Sequence, residues 1–287
     1  MTSETAPFRK AILAVRPDLA DAVFRTLPGG WHSRAVAAGG FVFKFPQGEE
    51  AERALRREVS ILAAVRPNVS MRVPDLRLHN GVPLFSEHAI IPGEHLETAA
   101  YEALPEPARQ ALGDALALFY AQLHALGCGA MDAAGARPVE PWLDADAIAA
   151  GALPLLPAGL RGFAEETIAG WRTLPPDPHG ETYGFFDGHG WNMAFDHGAG
   201  RLNGIYDFAD SGFGPLHQDF IYSNFVHPDL TARIVGGYER LTGRVLDRAR
   251  IHLLTGIHRL SELAALAGAP EHHAMMIASV AGWAARQ

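Results

Sequence analysis

The sequence predicts an α+β chain in two lobes, a small N-terminal antiparallel sheet with one helix and a larger, mainly helical C-terminal part. Up to about Ile91, short β-like runs alternate with one clear helical pattern. Most of the remaining chain has helical periodicity. One β-rich island, Glu181 to Asp207, interrupts it. The 287 residues, 48% hydrophobic, are enough to bury a large core. The boundary is drawn after Gly93, giving lobes 1–93 and 94–287.

In the sheet lobe, Leu27 to Arg34 reads as a loop. Ala35 to Ala38 and Phe41 to Pro46 then form a hairpin across Gly39-Gly40, a dipeptide suited to positive φ. Glu49 to Val65 follows as a helix with Ala51, Leu55, Val59 and Leu62 near one face. Strands Leu76 to His79 and Val82 to Ile91 are expected to meet in a tight turn at Asn80-Gly81, and Pro92-Gly93 closes the lobe.

The helical part opens with Pro107 to Leu126, where Gly127 reads as a C-cap glycine. Met131 to Pro157 has no clear period, and a helix resumes at Leu160 to Trp171. The island gives strands Glu181 to Asp187, Asn192 to Phe195 and Leu202 to Asp207. Helices are then predicted at His217 to Phe225, Leu230 to Leu241, Leu246 to Ala267 and Glu271 to Ala285.

A formal charge of -8 argues against a nucleic-acid or anionic-membrane surface, both of which need clustered Lys and Arg. The single cysteine, Cys128, excludes an intramolecular disulfide and fits a reducing compartment. The first residues have too little apolar length for a signal peptide, and no window reaches the length of a membrane span. A cytoplasmic chain is expected.

The strongest local signal is FFDGHGWNMAFDHGAGRLNGIYDFADSG, Phe185 to Gly212. It sets Asp187, Asn192 and Asp207 on loops at the ends of short apolar strands. Carboxylates and an amide so placed are oxygen ligands of the type magnesium prefers. Asp-x-x-x-x-Asn, then a short hairpin, then Asp-Phe is also the order used in kinase phosphoryl transfer. In the sheet lobe, alternation along Phe41 to Phe45 puts three phenylalanines on one face and Val42 with Lys44 on the other. Glu58 falls on the apolar stripe of its helix. A carboxylate there needs a partner, and Lys44 is the natural one.

The Asp187 to Asp207 stretch resembles the catalytic core of the aminoglycoside phosphotransferase and choline kinase superfamily, relatives of the protein kinases, and the resemblance extends over most of the chain. That family's loop reads His-Gly-Asp-Leu-His-Pro-Gly-Asn. Here Phe185, Phe186, Asp187, Gly188, His189, Gly190, Trp191 and Asn192 occupy those places, with Phe185 in place of the first His. The resemblance implies a protein-kinase-like fold whose N-terminal lobe binds ATP or GTP and whose C-terminal lobe holds the catalytic loops and the acceptor site. It implies Asp187 as the base that orients and deprotonates an acceptor hydroxyl, Asn192 and Asp207 as Mg2+ ligands with Asp207 bridging metal and triphosphate, and Asp210 as an aid at the metal. Lys44 and Glu58 would form the pair that holds the α- and β-phosphates. The Gly29-Gly30-Trp31-His32-Ser33 loop lies where the family's phosphate-covering loop lies, implicating Gly29, Gly30 and Ser33. The run Ser86 to Glu94 resembles the interlobe connection, with Ala89 and Ile91 as backbone contacts to the purine. The implied partners are a nucleoside triphosphate and a small hydroxylated acceptor, aminoglycoside-like or another amino alcohol or sugar.

Each residue also has an ordinary reading: Asp187 capping a turn, Asn192 stabilising a loop, Asp207 ending a strand, Lys44 and Glu58 a structural ion pair. Their joint order and spacing favour the kinase. Asp219 reads as structural support for the loop, and His124 as a satisfied core histidine. Trp191 is either a substrate-stacking residue or loop packing. Two alternatives remain open: a non-catalytic nucleotide-binding relative of the same fold, and a metal-dependent hydrolase built on Asp187, His189, Asp207, His217 and Asp219.

Overall fold

The computed structural model describes residues 6–27 and 33–285. Its first sheet is built from β1 (Arg25–Thr26), β2 (Ser33–Ala38), β3 (Phe41–Pro46), β4 (Arg77–His79) and β5 (Phe85–Ala89) in the order β1-β2-β3-β5-β4, antiparallel throughout. The β2–β3 turn is the predicted one, with Gly39 at φ 56 and Gly40 at φ 83. β2 starts at Ser33, two residues before the expected strand.

The phenylalanine face of β3 is buried, as alternation requires, and what covers it corrects the sequence reading. A second helix, α1 (Ala6–Val15), lies on that face with Ile12 fully buried and the Phe8 ring 4.7 Å from Phe45. Phe45 in turn stacks on Phe85 at 4.8 Å. A sheet face of this kind must be covered. Phe8, Ala11 and Ile12 supply the cover at helical spacing, on a segment too short to stand out by periodicity.

The following helix, α2 (Glu49–Val65), has the predicted limits. Its buried stripe is Ala51, Leu55, Glu58, Ile61, Leu62 and Val65. The tight turn expected at Asn80-Gly81 is absent: β4 stops at His79 and β5 starts at Phe85, with neither Asn80 nor Gly81 at positive φ. Pro83 lies inside the expected second strand and has no N–H for the ladder.

The remaining helices are α3 (Thr98–Glu102), α4 (Glu106–His124), α5 (Cys128–Ala133), α6 (Ala145–Ala152), α7 (Ala158–Thr173), α8 (Pro228–Thr242), α9 (Arg248–Ala265) and α10 (Pro270–Ala284). Gly127 is not the C-cap of α4. That place belongs to Ala125, and Gly127, at φ -64, is the N-cap of α5. The expected helix over His217 to Phe225 is two short 3₁₀ turns, Leu216–Phe220 and Tyr222–Phe225, that turn His217, Gln218 and Asp219 inward.

The β-rich island forms β6 (Glu181–Gly184), β7 (Met193–Asp196), β8 (Arg201–Ile205) and β9 (Gly212–Pro215). β7 pairs with β8, and β6 pairs with β9. β9 is an addition to the predicted strands, because Gly-Phe-Gly-Pro has little strand propensity. The main core gathers Phe119 and Tyr120 of α4, Phe185, Phe195, Phe208, Phe220 and Tyr238 of α8. A second cluster joins α6, α7, α9 and α10. The chain leaving the sheet docks on β7, where Glu94 and Phe195 exchange backbone hydrogen bonds of 2.9 and 2.8 Å and the Leu96 N–H donates to the Gly190 carbonyl at 3.0 Å. Among the described residues, no helix is long and apolar enough to cross a membrane.

If α1 is the cover of the sheet, Ile12→Ala should lower unfolding free energy by about 2–4 kcal/mol without changing the urea m-value. A loss below about 0.5 kcal/mol in urea titration would mean that the helix contributes little to the core.

Candidate active site

Alternation along β3 turns Lys44 away from the phenylalanines and toward α2. Its Nζ lies 3.2 Å from Glu58 Oε2 and 3.1 Å from Asp207 Oδ1. Three segments distant in sequence thus converge on one ammonium. Burial opposes the lysine's charge, but the two carboxylates outweigh it and hold its pKa above the usual range. Glu58 has a second task, since its Oε1 accepts the Phe208 N–H at 3.2 Å.

Asp187 and Asn192 meet across the loop between β6 and β7. Asn192 Nδ2 donates to the Asp187 carbonyl at 3.0 Å and to Oδ2 at 2.6 Å, and the amide oxygen of Asn192 has no hydrogen-bond partner among the described residues. Asp187 Oδ1 lies 3.0 Å from His189 Nε2. Burial lowers the His189 pKa, and the hydrogen bond and charge of Asp187 more than reverse that, so the ring titrates above the ordinary histidine range. The sequence reading gives His189 a role only as a ligand in the hydrolase alternative. Its pairing with Asp187 depends on the bend at 188–190, which the sequence does not reveal.

The β7–β8 register, Met193 opposite Ile205, brings Asn192 and Asp207 out at the same end of the hairpin, and the Tyr206 N–H donates to the Asn192 carbonyl at 3.1 Å. An amide oxygen and a carboxylate are donors suited to a hard divalent cation, so the pair fits magnesium. Asp210 follows on the same loop. Loss of hydration, then the charges of Asp187 and Asp207, push its carboxyl up to about 6.

The loop is held from below by Asp219, fully buried, whose carboxylate accepts the N–H groups of Phe185 and Phe186 and a 3.0 Å contact from His124 Nε2. His124 Nδ1 is in turn 3.0 Å from the Tyr238 hydroxyl. The structural reading of both residues holds. Phe186 and Asp207 are the non-glycine residues at positive φ among those described, at 54 and 66, so the turns that expose Asp187 and Asp207 both carry backbone strain. The loop also has no room for side chains at two points: a Cβ on Gly188 would fall 2.0 Å from Tyr120 Oη, and one on Gly190 1.9 Å from the Leu96 carbonyl oxygen. Phe185, in the place of the family's histidine, is buried against Phe119 and lies 4.8 Å from Phe208.

Other predicted residues separate from this group. Ser33 is the first residue of β2, opposite Pro46, and makes no hydrogen bond to Lys44 or Asp207 among the described residues. Gly29 and Gly30 lie outside the described residues. Ala89 ends β5, with its carbonyl 3.0 Å from His88 Nδ1. The Ile91 side chain is buried, and its N–H has no hydrogen-bond partner among the described residues. Trp191 is half exposed and lines a cavity of about 270 Å³ with His189, Phe225 and Val226. The hydrolase cluster does not assemble. His217 is engaged by Asp177 at 2.8 Å and by the Asp247 N–H at 3.0 Å, and Asp219 is committed to the loop backbone. No group of three or more His, Cys, Asp or Glu able to hold a metal exists among the described residues.

The structure thus pairs a strand lysine with a helix glutamate and with the Asp of an Asp-Phe turn, and joins an Asp to an Asn in the loop between β6 and β7. Residues 23–254 match the family described as phosphotransferase enzyme family, and the chain belongs to that family. Among solved structures it resembles wild-type aminoglycoside 2'-phosphotransferase-IIIa in complex with GDP, at 19% identity and TM-score 0.83, covering 98% of this chain and 99% of the other. It also resembles APH(2")-IIia with GDP and kanamycin, at 18% identity and TM-score 0.79 over 98% and 99% of the chains. The apoenzyme of macrolide 2'-phosphotransferase MphH from Brachybacterium faecium aligns at 19% identity and TM-score 0.67 over 94% and 97%. Among curated proteins, none matches this chain.

The Asp187 pairing sets a sign for His189. Below its elevated pKa the ring is charged and attracted to Asp187; the stabilisation is lost as pH rises through that pKa. In an NMR titration His189 should titrate above the usual histidine range, and Asp187→Asn should lower it, because burial is then opposed only by the smaller pull of a backbone hydrogen bond and Asp207. An unshifted His189 in the parent would refute the pairing.

Proposed function

We propose that the chain transfers the terminal phosphoryl group of a nucleoside triphosphate to a hydroxyl of a small molecule. The observation that carries this reading is the convergence of Glu58 and Asp207 on the Lys44 ammonium together with the joining of Asp187 to Asn192, Asn192 and Asp207 leaving the same end of the β7–β8 hairpin. Residues 1–93 would bind the nucleotide, and residues 94–287 would supply the catalytic loops and the acceptor site.

In this reading Lys44, fixed by Glu58, offers its ammonium to the α- and β-phosphates. Asn192 and Asp207 would hold magnesium through their oxygens, and that ion, when bound, would supply charge neutralisation at the phosphates. Asp187, oriented by Asn192 and His189, hydrogen-bonds the acceptor hydroxyl and takes its proton as the new oxygen–phosphorus bond forms. The bond between the β- and γ-phosphates breaks, and its electron pair leaves with the nucleoside diphosphate. Positioning and charge neutralisation carry most of the barrier lowering, so Asp187 needs no elevated pKa.

The cavity lined by His189 and Trp191 is the natural seat for the acceptor, and the open face of Trp191 favours stacking over loop packing. One structural relative has kanamycin bound and another is a macrolide phosphotransferase. An aminoglycoside-like compound, or another amino alcohol or sugar, is therefore the class to screen. Phe185, packed against Phe208, gives the non-catalytic alternative no support.

The test is magnesium-dependent nucleoside diphosphate release across a panel of aminoglycosides, macrolides, amino alcohols and sugars. Asp187→Ala should lower acceptor-stimulated turnover by at least about 100-fold while leaving nucleotide affinity nearly unchanged. Asp207→Ala should abolish turnover and also weaken magnesium–nucleotide binding. Parental turnover in either variant would sink the assignment. Lys44→Ala should chiefly impair nucleotide positioning, and an unaltered rate at both limiting and saturating nucleotide would exclude that role.

A further inference from the structure

We infer that Tyr206 is a positioning residue for the acceptor: its hydroxyl fixes the Trp191 carbonyl and so holds the Trp191 ring as the wall on which a ring-shaped acceptor, a pyranose or cyclitol, lays its C–H face. The inference rests on the kinase reading above and concerns only how that site seats its acceptor.

Trp191 is the middle residue of the 3₁₀ turn Gly190–Asn192. The carbonyls of Gly190 and Asn192 accept backbone N–H groups, from Leu96 at 3.0 Å and from Tyr206 at 3.1 Å. That of Trp191 accepts a side chain instead, the Tyr206 hydroxyl at 2.9 Å. Tyr206 therefore grips two consecutive carbonyls, one with its backbone and one with its ring. It can do so because it follows β8 directly, at the end of the hairpin where β7 begins. A carbonyl only accepts, so the hydroxyl is the donor. Burial, then the charge of Asp207, keep it protonated.

What this tie holds is the wall of the cavity of about 270 Å³. Leu96, Ala99, Phe225 and Val226 line it beside Trp191, whose side of the cavity is half exposed. Of the polar lining residues, Thr98 is committed to the Val226 carbonyl at 2.9 Å, and Glu97 is the one carboxylate. Such a lining recognises a ring by its apolar face more than by its charges. An apolar cavity of about 150 Å³ holds one benzene, so this space suits one saturated ring with its substituents. The ring also meets the base at the right place. The His189 imidazole is edge-on to the indole, with centroids 5.1 Å apart, and 3.0 Å from Asp187 Oδ1, so one side chain separates the stacking wall from the base. With the backbone of Trp191 fixed by Tyr206 and its ring bounded by His189, less freedom is lost when an acceptor stacks.

The experiment measures nucleoside diphosphate release by the full chain with magnesium–ATP and four probes: D-glucose, myo-inositol and kanamycin, which carry saturated rings, and choline, which does not. At least one ring compound should stimulate release, and more strongly than choline. For the best of them, Tyr206→Phe should raise the acceptor KM about three- to tenfold, with kcat and the nucleotide KM within about twofold of the parent. Trp191→Ala should raise the acceptor KM at least as much, and Trp191→Phe, which keeps a flat ring, should restore most of the loss. Combining Tyr206→Phe with Trp191→Ala should cost no more than Trp191→Ala alone, because the hydroxyl acts only through the indole. A tyrosine that merely stabilises the hairpin would give additive losses. Thermal denaturation establishes that each variant is folded. Additive losses, an unchanged acceptor KM in Tyr206→Phe, or stimulation by choline alone would overturn the inference. A folded parent that binds magnesium–ATP but responds to none of the ring compounds would overturn it too, while leaving the nucleotide site standing. Failure of a folded parent to bind magnesium–ATP would overturn the kinase reading itself.

Discussion

The Lys44 ammonium is the point on which the cleft depends. It joins the sheet, α2 and the turn after β8, and its two partners differ in kind: the Glu58 side chain is 5% exposed and that of Asp207 47%. Glu58 is locked, with one oxygen on Lys44 and the other on the Phe208 N–H. Removing its partner would leave a buried carboxylate with only one neutral donor, so this pair cannot separate cheaply. Asp207 is held on one oxygen and faces the cleft with the rest of its carboxylate. The arrangement therefore keeps the lysine in place while leaving the second carboxylate able to exchange partners.

The other side of the cleft is organised by neutral donors and aromatic packing. Asp219 satisfies two consecutive N–H groups in a turn that contains Phe186 at positive φ, and those bonds offset the strain of that conformation. Phe185 and Phe208 pack together, so the residue two before Asp187 and the residue after Asp207 belong to one aromatic cluster. At Phe185 the loop is thus braced by apolar packing. The separation of the two acidic residues is set by core packing, which is stiff, rather than by a surface loop.

Much of this was legible in the sequence because each residue broke a local pattern. Lys44 alternates with phenylalanines, Glu58 interrupts an apolar stripe, and Asp187, Asn192 and Asp207 end apolar strands; in each case a polar side chain needed a reason to be there. The features that could not be read depend on partners distant in sequence or on weak local propensity. The α1 helix is visible only once the phenylalanine face demands a cover. β9 is hidden by its glycines, and the break before β5 by the strength of Asn-Gly as a turn signal over the Pro83 beyond it. The Asp187–His189 pair is set by the 3₁₀ turn at Gly190–Asn192 and the crowding around Gly188 and Gly190. The grouping of His217 and Asp219 with a metal failed for the same reason: spacing placed them near the loop, but only the fold shows that each was already committed.

The two sides of the cleft are not independently adjustable. The β7–β8 hairpin carries Asn192 at the start of one strand and Asp207 just past the end of the other, so any shift in its register would move both at once. The same hairpin receives the chain that leaves the sheet, through the paired backbone bonds of Glu94 and Phe195. Lys44 reaches Asp207 from the sheet, and Asn192 reaches Asp187 from the hairpin. The geometry between Lys44 and Asp187 is therefore fixed by a closed circuit of contacts: sheet to connection, connection to β7, hairpin to Asp207, and Asp207 back to Lys44. A break anywhere in that circuit should disturb the site as a whole, whereas changes outside it, such as those in the α6, α7, α9 and α10 cluster, should act mainly on stability.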